Sequence, residues 1–163
     1  LFALGRADPT DEAEVRDACD RVVELMEMCE RHVEHENRFV HAALQARCPG
    51  VCDAVGHEHE DHLRHTARLS EAARALASVP TAERASALHA LYLAVALFVA
   101  ENFAHMHAEE TQHNAALWAT YNDFELLAIH DELVASIPPQ EMMLIARWLL
   151  PAMNTVERCM MVN

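Results

Sequence analysis

The sequence predicts an all-α protein: an antiparallel four-helix bundle with an extra C-terminal helix, built as a single domain over residues 1–163. Three observations predict it. Hydrophobic residues make up 52% of the chain and charged residues 23%, enough apolar material for a packed core and too much for disorder. Three Gly and six Pro leave too few tight turns for a hairpin-rich β fold. Apolar residues recur at helical spacing in long runs, divided by Pro49-Gly50, Val79-Pro80-Thr81 and Pro138-Pro139.

Taken in order, residues 1–8 are expected to be irregular. Asp8-Pro9 reads as an N-cap with Pro at the first helical position. The seam of the first long helix follows: Val15, Cys19, Val22, Met26, Cys29, Val33, Glu36, Val40, Ala43, ending at Pro49-Gly50. A second helix is expected from near Asp53 to about Ala77, facing inward through His59, His62, Leu63, Thr66, Leu69, Ala73 and Leu76. The third runs from about Ala82 to Thr120, with the seam Leu88, Leu91, Val95, Phe98, Asn102, His105, Glu109, Gln112, Ala116. Asn122 to Glu125 resembles a capping box and opens a fourth helix with Phe124, Leu127, His130, Val134 and Ile137 inside. An additional helix occupies 140–163, kinked at Pro151, with Met142, Ile145, Trp148 and Leu149 on its apolar side.

Charge and cysteine usage narrow the partners. Twelve basic residues against 26 acidic ones give a net charge of −14, which disfavours nucleic acid and anionic membranes. No unbroken apolar run is expected to reach a membrane span, since Ala90–Ala100 stops at Glu101. The start of the chain is too short and too soon charged to read as a signal peptide. Five Cys, an odd number without a CxxC pair, read as reduced thiols of a cytoplasmic protein; Cys48 and Cys52 flank a turn and are placed to approach one another. The tail Cys159-Met160-Met161-Val162 reads as a packed end or as a homodimer or signalling-partner contact.

The unusual count is 12 His. Glu36 and Glu109 each sit on a seam that is otherwise mostly apolar, and each has a His four residues earlier, His32 and His105. That spacing puts imidazole and carboxylate on one helix face, one turn apart. A buried ionised carboxylate costs several kcal/mol unless it is paired or holds a metal. The two pairs belong to an internal repeat: His32, Glu36, Ala42, Ala43 and Leu44 recur as His105, Glu109, Ala115, Ala116 and Leu117, at a constant offset of 73. A weaker echo relates the His59–His62 segment to His130-Asp-Glu-Leu133. Two such halves face to face would gather His32, Glu36, His59, His62, His105, Glu109 and His130 at the centre of the bundle. Nitrogen-rich sets with two carboxylates suit non-haem iron, and zinc or manganese is compatible with the same donors.

On these residues the chain resembles the hemerythrin-like (HHE cation-binding) domains, over roughly residues 20–135. The resemblance implies two non-haem iron ions, bridged by two carboxylates and an oxo or hydroxo species and otherwise held by His. It also implies an open position for O2 or another small ligand, with O2, iron, nitric oxide or redox sensing as the function of some members. If both helix 2 histidines bind, the set has five His and two Glu, like the family. Two features depart from its usual pattern. No His precedes His32, so His130 completes the set in a permuted order, and His59 and His62 are spaced i,i+3.

The remaining histidines receive plainer readings. His35, His41 and His65 fall off the seams and are expected in solvent. His57 is an alternative to His59, His107 and His113 are expected beside the ligands or at the surface, and His89 at the surface. Tyr92, Tyr121, Trp118 and Met106 read as packing residues. A ferritin-like di-iron oxidase would need Glu-x-x-His on two helices, and only Glu110–His113 has that spacing. A metal-free helical interaction module leaves two seam glutamates unexplained. No nucleophile triad or phosphate loop is present, and the sequence commits to no enzymatic activity.

Overall fold

A computed structural model describes residues 1–162, and among them it is all-helical, without a strand. Two compact units divide the chain, Leu1–Asn122 and Asp123–Asn163. The first opens with a short helix, α1 (Phe2–Arg6), where irregular chain was expected; its Leu4 is buried in the core. Asp8 does not cap the next helix. It accepts hydrogen bonds from the Thr10 backbone N–H and hydroxyl, and Asp11 caps α2 (Glu12–His35) by accepting from the Ala13 and Glu14 amides.

Three long rods make up the first unit. α2 continues through a π-helical segment, Glu36–His41, into α3 (Ala42–Arg47). Gly50, at φ +89°, supplies the left-handed residue that turns the chain toward α4 (Asp53–Leu76). α5 (Thr81–Ala108) continues through a second π segment, Glu109–His113, into α6 (Asn114–Thr120). The core joins α1, α2, α4 and α5 through Val15, Cys19, Val22, Met26, Leu69, Ala73, Leu76, Leu88, Leu91, Val95 and Phe98. Met26 is fully enclosed. At the other end the first and third rods are clasped: Arg47 donates to the Thr120 carbonyl and lies over the Tyr121 ring, whose hydroxyl donates to the Ala43 carbonyl at 2.7 Å.

The expected seams hold up to Glu36 and Glu109 and then slip by one residue. Beyond Glu36 it is His41 and Leu44 that are buried, in place of Val40 and Ala43; beyond Glu109 it is His113, while Gln112 is exposed. A π turn carries one residue more than an α turn, and the first segment brings His41 inward five residues after Glu36; His113 follows Glu109 by four, a spacing that keeps both on one face. Leu63 is also corrected: it is exposed at the edge of α4.

An 18-residue window within the rod Thr81–Thr120 reaches a mean hydropathy of 1.6, apolar and long enough to cross a membrane. This corrects the expectation that no segment qualifies.

The second unit holds α7 (Asp123–Ser136), α8 (Pro139–Ala152, with Pro151 inside it) and α9 (Thr155–Val162). On α7, Phe124, Leu127, Val134 and His130 are exposed, contrary to the inward face expected for them. On α8, Met142 and Ile145 are half-buried while Trp148 and Leu149 are exposed. In the tail, Cys159 and Met160 are exposed, and the expectation for the Met161 and Val162 side chains falls outside the described residues.

Candidate metal centre

Two adjacent groups of metal-ligating side chains lie in the first unit. The larger joins Glu36, His59, His105 and Glu109, whose donor atoms all lie within 4.8 Å of one another. Each comes from a different turn of the three rods: Glu36 opens the first π segment, Glu109 opens the second, His59 is on α4 and His105 lies in the last turn of α5. His105 Nε2 stands 2.9 Å from Glu109 Oε1 and 3.1 Å from His59 Nε2. His59 Nε2 is 3.4 Å from Glu109 Oε1 and 3.7 Å from Glu36 Oε2. Donors about 2.1 Å from one shared ion are separated by roughly 3.0 Å at a right angle and 3.4 Å at a tetrahedral one. The four side chains already stand near the edges of such a polyhedron.

Both imidazoles are oriented from behind. His59 Nδ1–H donates to Asn37 Oδ1 at 2.8 Å, and His105 Nδ1–H donates to Glu58 Oε2 at 2.9 Å. Those bonds turn Nε2 of each ring toward the cluster, the arrangement by which proteins fix ligand tautomers. Glu36 Oε2 and both carboxylate oxygens of Glu109 are buried without a hydrogen-bond partner of good geometry. Orphaned acceptors of this kind are expensive unless a cation meets them.

Protonation shows how the site is tolerated without metal. Burial, and then the neighbouring Glu109 carboxylate, push the Glu36 carboxyl up to about 8. Burial works against ionised Glu109 as well, but the His105 imidazole beside it holds the carboxyl well below the usual carboxylate range. For His105 burial favours the neutral ring, yet the carboxylates of Glu109 and Glu58 override it and raise the imidazole to about 9. At neutral pH two protons therefore reside in the cluster, on Glu36 and His105. A divalent cation replaces them charge for charge.

The remaining sequence-assigned ligands stand outside this group. His32 is half-exposed at the rim, its Nε2 3.5 Å from Glu36 Oε2. His62 is buried, with its ring edge-on to His105 at 4.5 Å between centroids and to Phe98 at 5.9 Å; neither group includes it. His130 belongs to the second unit, is exposed, and has Nδ1 3.2 Å from Asp131 Oδ1. His57, the alternative to His59, is exposed with Nδ1 2.7 Å from the Asp53 carbonyl oxygen. Glu110 is exposed while His113 is buried, so they do not act as an inward Glu-x-x-His pair.

The second group joins His41, Cys52 and His113, again within 4.8 Å. The expectation of a solvated His41 is overturned: the residue is 9% exposed and stacks on His59 at 4.8 Å. Burial, then the neighbouring His59 and His113, lower its imidazole to about 4. The π segment explains the error, because five residues after Glu36 it returns the chain to the inward face.

The chain matches no protein-family model, no curated protein and no solved structure.

Proposed function

We propose that the chain is a non-haem iron-binding domain of hemerythrin-like character that binds or senses O2 or a related small ligand. The reading includes a four-helix bundle with an extra C-terminal helix, supported by the all-helical chain and the apolar seams of its long rods. One observation carries the functional part. Two glutamates from opposite rods, with orphaned buried oxygens, meet two oriented imidazole Nε2 atoms at separations suited to a shared cation.

The donor set fits iron. Glu36, Glu109, His59 and His105 would hold the metal, with His32 at the rim beside Glu36. Iron held there supplies electrons that can be shared reversibly with a small ligand. The protein's own part is positional. Asn37 and Glu58 keep both rings aimed, Glu36 and His105 give up their protons when metal enters, and Phe98, packed on His62, screens one side from water. Location in the cytoplasm belongs to the same reading, supported by five cysteines that stand outside any disulfide.

The test is metal analysis of the full chain, with visible spectra recorded anaerobically and after exposure to air. Retained iron and charge-transfer bands that change on exposure support the reading. Zinc alone, without such bands, overturns it.

A further inference from the structure

We propose that His41, Cys52 and His113 form a second, separate metal site, with two imidazole nitrogens and one thiolate sulfur as donors, that takes Zn2+. The inference does not depend on iron at the neighbouring carboxylate cluster.

Geometry is the first support. The three side chains come from three separate segments: His41 ends the first π segment, His113 ends the second, and Cys52 sits at the N-cap of α4. Each is nine-tenths or more buried, at 9%, 7% and 2% exposure for His41, Cys52 and His113. Their donor atoms fall within 4.8 Å. A tetrahedral zinc ion needs edges of roughly 3.3–3.6 Å, from Zn–N near 2.0 Å and Zn–S near 2.3 Å, so closure requires movements of only about 1 Å.

Unmet bonding capacity is the second. His41 Nε2 and His113 Nδ1 are buried without a hydrogen-bond partner. The His113 ring is held by a hydrogen bond to the Val51 backbone, which leaves Nδ1 as its free nitrogen. Backbone support on one ring nitrogen with the other bare is the usual posture of a metal-ligating His. The rings of His41 and His113 meet edge to face at 5.2 Å, which brings the two imidazoles side by side.

Ligand chemistry selects the ion. The first cluster has carboxylates and imidazoles and no sulfur, while this one has a thiol and no carboxylate. Thiolate with imidazole favours a borderline-soft ion such as Zn2+, and a coordinating thiol gives up its proton outright. Three protein donors leave a fourth position for water. Bound there, zinc would pin the turn before α4 to both π segments.

Cobalt(II) titration of the metal-free full chain tests the proposal, because a thiolate ligand gives a near-ultraviolet sulfur-to-cobalt band that carboxylate and imidazole do not. The band is expected in wild type, is lost in Cys52→Ser, and persists in Glu36→Gln/Glu109→Gln. Absence of the band in wild type, or its survival in Cys52→Ser with loss in Cys48→Ser, overturns the site. Loss in the double glutamate variant shows one mixed cluster and overturns its separateness. Alkylation of wild type, mapped by mass spectrometry, covers the case in which a variant fails to fold. Zn2+ is expected to slow modification of Cys52 at least tenfold, and an unchanged rate overturns the proposal.

Discussion

The two ends of the same three rods make different use of one pattern. Toward α1 the helices are regular and the seam is apolar, so that Met26, Val95, Leu69 and Ala73 close a dry core. Toward the Pro49-Gly50 turn each of the first and third rods loosens into a π turn, beginning at Glu36 and at Glu109, positions related by the repeat offset of 73. The regular end uses periodicity to bury carbon. The other end interrupts that regularity: the first π segment brings His41 inward, five residues after Glu36, and His113 lies inward four residues after Glu109, beside two buried carboxylates. Irregular helix turns often mark chemistry, since the extra residue re-aims side chains that an α-helix would send outward.

Substitutions at the two ends should therefore separate metal binding from stability. The largest effect is expected from Glu36→Gln/Glu109→Gln, which keeps shape but removes the anionic oxygens: metal bound at the four-residue cluster should fall at least a hundredfold, measured by competition with a chelator of known affinity. Unchanged affinity would mean that these side chains are only a buried acid pair.

A pH dependence follows from the two resident protons. Metal must displace them from Glu36, at about 8, and His105, at about 9. Affinity should climb by up to about a hundredfold per pH unit below 8, then more gently to 9, and level off above. Stability of the metal-free protein should move the other way. Both groups have folded values above their unfolded ones, so each favours the fold at low pH and that contribution is lost as pH rises through 8 and 9. Calorimetry with and without metal reads both trends, and a flat metal affinity from pH 6 to 9 would refute the proton inventory.

Asn37→Ala removes the hydrogen bond that aims His59 and should weaken metal binding by about ten- to a hundredfold without changing the number of ions held. Met26→Ala tests the opposite end. A fully enclosed side chain is lost, so unfolding free energy should drop by about 2–5 kcal/mol while metal affinity stays within a factor of two. The smallest effect is expected from His130→Ala. Its ring is exposed beside Asp131, and metal content should be the same as wild type; loss of an equivalent would return it to the ligand set.

The extents of α4 and of the third rod, the breaks at Pro49-Gly50 and Val79-Pro80, and the inward faces of His59, His105 and Glu109 were legible in residue spacing. Each follows from local rules: prolines stop helices, and a carboxylate repeated in an apolar seam needs a partner. The grouping of His41, Cys52 and His113 was not legible, because seam arithmetic assumes a constant number of residues per turn and places His41 in water. Nor was the position of His130, whose apolar neighbours on α7 read as an inner face but are exposed.

By itself, then, the sequence determined an all-helical chain and the pairing of His and Glu one turn apart at 32/36 and 105/109, since these depend on contacts within a few residues. Only the tertiary structure decided which imidazoles meet which carboxylates and where Cys52 falls. Those meetings depend on how two π turns re-phase three packed rods against one another, and backbone hydrogen bonding alone leaves that phase open.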